Sequence, residues 1–202
     1  MKKLPQSFYR RDDVLQIARE LLGKILVTRW NGICTSGRIV ECEAYAGIPD
    51  KASHAAGGRR TRRNEIMYAA GGVSYVYLCY GIHHLFNIVT NKKEIPHAVL
   101  IRALEPLEGI DEMLKRTGKK EFDYTLTRGP GNLSKALGIR VNHSGKTLAG
   151  YEIFVATDKH TLADEQIGIS PRIGVDYAGS DAALPYRFYI KGNPFVSGKP
   201  NR

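Results

Sequence analysis

Apolar and polar positions along this chain repeat with two different periods. Over residues 12–22 (DDVLQIARELL), Val14, Ile17, Ala18, Leu21 and Leu22 recur at helical spacing on one face. Asp12 or Asp13 is placed to cap that helix and Gly23 to end it. Period two then takes over. KILVTRW (24–30) and TSGRIVECEAYAG (35–47) read as strands joined by a turn at Asn31-Gly32. VSYVYLC (73–79) and LFNIVT (85–90) read as a second pair, with Tyr80-Gly81-Ile82-His83 as the tip of a protruding hairpin. AVLIRAL (98–104) predicts another strand, with Arg102 inside an apolar run, and a helix is expected to start after Pro106 in EPLEGIDEMLKRTG. RGPGNLSKALGI (128–139) predicts a turn into a short helix, and YEIFVATD (151–158), RIGVDY (172–177) and YRFYIKG (186–192) predict three late strands. Residues 48–72 read as a Gly- and Arg-rich loop with a helical turn near Asn64–Tyr68, and residues 117–129 as a polar connection. Hairpins mixed with a few helices, without a βαβ alternation, predict an α+β fold with a largely antiparallel, curved sheet. A length of 202 residues fits one domain spanning 1–202.

Charge changes this picture more than composition does. Hydrophobic residues make up 43% of the chain, enough for a real core. Thirty Lys plus Arg face 20 Asp plus Glu, a formal charge of +10. That imbalance favours a polyanionic partner, nucleic acid or an anionic membrane surface, over the plainer reading of an unspecialised basic surface. Cys34, Cys42 and Cys79 are odd in number and sit in or beside apolar runs, as buried thiols in a reducing compartment do. The opening MKKLPQSFYRRDD lacks the apolar stretch of a signal peptide, and no run approaches the ~20 apolar residues of a spanning helix. The expected location is the cytosol or the compartment holding the genome.

Candidate chemistry concentrates in RIVECEAYAG (38–47). Strand alternation puts Ile39, Glu41, Glu43 and Tyr45 on one face, so a basic protein sets two acids side by side on a core strand. Either one acid is a general base supported by its neighbour, or both form structural ion pairs with Arg38 or Arg102. Tyr75 and Tyr77 share a strand face, which suits a pocket for a flat ligand or ordinary strand packing. Tyr80 is harder to explain by packing, because a large ring beside a turn glycine is exposed. Arg59, Arg60, Arg62 and Arg63 crowd four guanidinium groups into five residues, an arrangement suited to phosphates. His54 follows the acidic strand closely enough to join Glu43 in one site. His83 and His84 face opposite ways on a strand, so no metal site is expected. GPGNLS lacks both the Lys-Ser/Thr of a P-loop and the last glycine of a dinucleotide fingerprint, so no nucleotide cofactor is expected.

These residues also carry a family resemblance. RIVECEAYAGIPDKASHAAGGRRTRRNEIMY, GGVSYVYLCYGIHHLFNIV and VLIRALEPLEG, with the later RGPGNLSKALGI, PRIGVDYAG and YRFYIKGNPFVS, resemble the alkyladenine (3-methyladenine) DNA glycosylase family of mammalian type, here a bacterial member. The likeness runs from about residue 7 to residue 197. It implies a monomeric base-excision enzyme that needs no metal or cofactor and no membrane. Such an enzyme binds double-stranded DNA from the minor groove, in the cytoplasm at the nucleoid, and flips a damaged purine into a pocket. By motif position, Glu43 is then the general base that activates water, and Arg102 lies near that water and the nucleotide backbone. Tyr45, His54 and Tyr77 enclose the flipped base, and Asn87 discriminates against the amino group of guanine. Tyr80 fills the gap in the stack, and Arg59 and Arg63 contact DNA. Ala56, His83 and Asn132 depart from the family pattern of an arginine, an aromatic residue and a lysine. Absence of a lysine from the acid-aromatic cluster points to water and not an amine as nucleophile, hence a monofunctional enzyme that leaves an abasic site. Two other classes compete: a non-catalytic module for distorted DNA or RNA, and a sugar hydrolase using both acids. Carboxylates on one side of any substrate fit the second poorly, because glycosidase acids flank the bond they break.

Overall fold

The computed structural model describes residues 1–198. A two-residue strand β1 (Lys2–Lys3) and a single turn α1 (Gln6–Tyr9) precede α2 (Val14–Leu21). Asp13 caps α2, its side chain accepting from the Gln16 amide, and Gly23 beyond the helix is left-handed at φ 77°. The helix buries Val14, Ile17, Ala18 and Leu21, the stripe its spacing predicted. Strands β2 (Ile25–Trp30) and β3 (Ile33–Tyr45) follow, with Asn31 and Gly32 both at positive φ, as a two-residue hairpin turn requires. The next hairpin is β4 (Ser74–Cys79) and β5 (His83–Thr90), and then comes β6 (His97–Glu108). Helices α3 (Ile110–Thr117) and α4 (Pro130–Ala136), strands β7 (Ile153–Thr157) and β8 (Ile167–Ser170) and the last strand β9 (Arg187–Ile190) complete the order.

All nine strands of the described residues pair antiparallel, seven of them in the order β1-β7-β2-β3-β6-β5-β4. The α+β expectation holds. The long β3 organises the sheet. Its residues 33–38 pair with β2, and once β2 ends, residues 41–43 pair with β9, which carries β8. Its other edge pairs with β6 along nearly its whole length. The main core lies between this sheet and α2, α3 and α4, and includes Ile39, Cys42, Phe86, Ile101, Met113 and Leu133.

Three expectations need correction. The helix predicted after Pro106 begins only at Ile110, because β6 runs through Pro106 to Glu108. Pro106 is tolerated there because it faces Gly37 beside a break in register. The turn into α3 falls to Gly109, at φ 78°, where an added Cβ would lie 2.4 Å from the Cys34 carbonyl oxygen. Residues 172–177 form no strand. Gly174 is left-handed (φ 76°), and Arg172 turns inward to Asp50, so β8 lies earlier and the segment packs as a strap on the end of β3 and the loop after it, leading into a 3-10 segment, Asp176–Ala183. Of the three thiols only Cys42 is buried; Cys34 and Cys79 are half-buried, and all three are free.

Candidate active site

Two bulges place the charged residues. Between β3 and β6, Glu43 pairs with Leu100, Cys42 with Ile101, Glu41 with Ala103 and Ile39 with Leu104. Arg102 on β6 and Val40 on β3 are therefore extra residues, and such bulges re-aim side chains. Arg102 lies between the two acids, its Nε donating to Glu41 Oε1 at 2.9 Å and its Nη1 lying 3.2 Å from Glu43 Oε1. Burial works against the Arg102 charge, and the Glu43 and Glu41 carboxylates more than offset it, so its pKa is raised. Both acids are fully buried, but their surroundings differ. Glu41 accepts four hydrogen bonds, from Arg102 Nε, Arg187 Nε (2.8 Å), the Ser197 hydroxyl (2.8 Å) and the Ser197 amide (2.6 Å). Glu43 Oε1 accepts from the Ile173 amide at 2.7 Å and faces Arg102, while Oε2 accepts only from the Tyr45 hydroxyl at 2.9 Å. A carboxylate offers about four acceptor positions. Glu41 carries four donors, three of them crowded on Oε1; Glu43 Oε2 has the single Tyr45 donor, which leaves an acceptor position on the oxygen that Tyr45 joins to the pocket beyond it.

Beyond Tyr45 lies an aromatic pocket lined by Tyr45, His54, Tyr75, Tyr77 and Asn87, with Ala52, Met67, Ala98 and Tyr177 completing its walls. The His54 and Tyr77 rings meet edge to face, with centroids 4.6 Å apart. Tyr75 holds the imidazole, its hydroxyl 2.7 Å from Nδ1. Burial pushes the phenols of Tyr45, Tyr77 and Tyr75 up, Tyr75 to about 12, so all three stay neutral donors. Asn87 is fixed through its Nδ2, which donates to the Tyr75 and Leu85 carbonyls. His54 is pushed down to about 4, by burial first and then by Arg63 and Arg59. The expected result is a His54 imidazole that stays neutral at pH 6 and titrates near pH 4 by NMR. The unfolded chain protonates this His near 6.5, so its contribution to stability is present above that pH and lost as pH falls toward about 4. A normal titration near 6.5 contradicts the buried placement.

The structure thus brings together Glu43, Tyr45, His54, Tyr77, Asn87 and Arg102. Tyr80 stands apart, 92% exposed at the β4–β5 tip. It occupies φ 50° next to Gly81 at φ 75°, with the Ile82 amide bonded to the Cys79 carbonyl. A bulky residue in that region costs about 1–3 kcal/mol, a strain typical of functional positions. Arg63 joins the pocket rim, its guanidinium 5.1 Å over the Tyr77 ring and donating to the Leu78 carbonyl. Arg59 is exposed beside it, its carbonyl anchoring Asn64 and Tyr68. The four arginines are less uncompensated than their spacing implied, because Arg60 pairs with both Glu65 and Glu94. Asn132 is occupied locally, donating to the Thr125 and Arg128 carbonyls.

Sequence reasoning missed the strap. Arg172 is buried and bidentate to Asp50 (2.5 and 2.8 Å), and this pair holds the Ile173 amide on Glu43 and Tyr177 on the pocket. Arg187 was within reach, because it interrupts an apolar strand as Arg102 does. Among the described residues no three His, Cys, Asp or Glu side chains converge as a metal-ligand set.

The family model for methylpurine-DNA glycosylase matches residues 7–194 of this chain. A relative from Bacillus cytotoxicus is 47% identical over 203 residues, covering 96% of this chain and 99% of its own. One from Clostridium perfringens strain SM101 is 45% identical over 98% of this chain and 100% of its own. One from Chlamydia abortus is 46% identical over 93% and 97%. All three are provisionally named 3-methyladenine DNA glycosylase. A match over nearly the whole chain, by family model and by relatives alike, means that the chain belongs to the methylpurine-DNA glycosylase family and is a DNA glycosylase, a hydrolase of base-excision repair.

Proposed function

We propose that this enzyme flips an alkylated or deaminated purine nucleotide out of duplex DNA and hydrolyses its N-glycosidic bond with water activated by Glu43. The observation that carries the reading is the open acceptor position on Glu43 Oε2, beside an aromatic pocket at the root of a hairpin tipped by Tyr80. Tyr80 fills the gap left in the stack, while Tyr45, His54 and Tyr77 enclose the extruded base. Damaged bases that pair weakly cost less to extrude, which supplies part of the selectivity. Asn87, pinned through Nδ2, meets the edge where guanine carries its 2-amino group. Water attacks C1′ of the sugar, the C1′–N bond breaks, and its electron pair leaves with the purine. Glu43 takes the proton from water, and its carboxylate, with Arg102 beside it, faces the oxocarbenium-like sugar. The products are a free base and an abasic site. No lysine lines the pocket among the described residues, which favours hydrolysis without strand cleavage.

The test uses duplexes each carrying one hypoxanthine, ethenoadenine, 3-methyladenine or 7-methylguanine, treated with the wild-type enzyme and then with hot alkali. Cleavage at the lesion only after alkali is the expected result. Failure to release any of the four bases overturns the reading.

The pocket has a volume of about 30 Å³, room for a water or two and not for a purine. Base entry therefore has to displace a wall. Tyr177 is the candidate: it is largely exposed, and its side-chain hydrogen bond among the described residues runs from its hydroxyl to the Ala52 carbonyl at 3.1 Å. Tyr177→Ala is expected to raise release of ethenoadenine relative to 3-methyladenine by roughly 10-fold, the scale of discrimination set by small changes in pocket size. An unchanged ratio in competition assays removes Tyr177 from the specificity-determining wall.

A further inference from the structure

The β4–β5 hairpin has two faces. Tyr75, Tyr77 and Asn87 lie on the pocket face, while Val76, Leu78, His84 and Phe86 lie on the other. Beside that second face runs a groove of about 1030 Å³. Ile82 and His84 of the hairpin form one wall, and Lys135 of α4 and Arg140 just beyond it form another. The stacked rings of Trp30 and His143, 3.9 Å apart and 11° from parallel, also line it. Burial and nearby Lys146 hold the His143 pKa below its ordinary value, so this surface is an uncharged aromatic plate.

Charge in the groove is unbalanced. Its two carboxylates are already paired, Glu112 with Arg116 and Glu152 with Lys146. Lys135 and Arg140 remain, both exposed. Lys135 donates to the Thr117 carbonyl, and among the described residues neither it nor Arg140 has a carboxylate partner. Two uncompensated cations along an open, aromatic-lined track suit a chain of phosphates.

We propose that this groove holds the phosphodiester backbone of the undamaged strand, opposite the flipped nucleotide. The inference rests on Tyr80 acting as a wedge in duplex DNA. A wedge that enters a duplex has one strand on each side. The pocket face receives the damaged strand, so the complementary strand passes the other face, where the groove lies. Lys135 and Arg140 each neutralise one of its phosphates.

The test compares the wild-type enzyme with the Lys135→Ala/Arg140→Ala double variant. The probes are a duplex containing a tetrahydrofuran abasic analogue, which has no base to lose, and the same tetrahydrofuran strand alone. Affinities are measured across a salt series. Two lost phosphate contacts are expected to weaken duplex binding by roughly 10- to 100-fold near 0.1 M salt and to flatten the logarithmic salt slope by about 1.8. Binding to the single strand stays at the wild-type value, and Lys135→Arg/Arg140→Lys restores the duplex affinity. Equal losses on both probes would place these cations on the damaged strand and overturn the proposal, as would an unchanged duplex affinity. Base release by the wild type is scored separately. An enzyme that releases no base but shows the duplex-selective loss keeps the groove assignment and refutes the catalytic reading.

Discussion

Glu43→Gln is expected to lower base release by about 10²- to 10⁴-fold, the range for losing a general base. Binding to a duplex with a tetrahydrofuran site should stay near wild type. Glutamine keeps the length and planarity of glutamate, and its carbonyl oxygen can still accept one of the bonds that Tyr45 and Ile173 now donate. It cannot take a proton from water or present a negative charge to the sugar. Arg102 keeps its bond to Glu41, so the site retains its cation. Single-turnover rates and binding affinities separate the two effects. A variant with wild-type turnover sinks the assignment of Glu43 to the chemistry. A variant that loses binding and turnover together gives Glu43 a structural role, as the two-acid pattern in the sequence also allowed.

Some of the site was legible in the sequence because local rules generate it. Strand alternation in ECEAY puts both acids and Tyr45 on one face, and YVYLCYG fixes a tyrosine face and an exposed tip. The part that stayed hidden is non-local. Nothing near Glu41 announces Ser197, 156 positions away, or distinguishes a carboxylate with four partners from one with an open lone pair. The strap failed for a related reason. RIGVDY alternates like a strand, but the buried pairing of Arg172 with Asp50, 122 positions earlier, outweighs the local β preference. The 105–108 segment shows the converse: a proline that locally suggests a helix start is absorbed by a bulge in a long strand pair.

That hidden network carries the second large prediction. Glu41→Ala is expected to destabilise the fold by about 3–5 kcal/mol, the cost of leaving a buried charge without its partner. For a chain of this size the midpoint of thermal unfolding should fall by about 10–15 °C. Arg102 and Arg187 are both nearly inaccessible and converge on Glu41 Oε1, while Ser197 ties the last described turn to the same carboxylate. Without Glu41, Arg187 keeps the Ser170 hydroxyl and the Ser197 carbonyl, while Arg102 keeps the Ser197 hydroxyl and has Glu43 as its carboxylate partner. Activity measured at a temperature where the variant is folded should therefore also fall, because an arginine released from Glu41 competes for the acceptor position that water needs. Replacing both arginines by Met in the Glu41→Ala background should recover most of the stability, since apolar groups of similar volume often substitute for a buried ion network without loss. It should not recover activity. A loss below about 1 kcal/mol on Glu41→Ala, within the range of ordinary surface changes, would show that these charges are not held by Glu41. The paired acids of a basic protein then have a physical division of labour: Glu41 neutralises and orients the arginines, and so leaves one lone pair of Glu43 open.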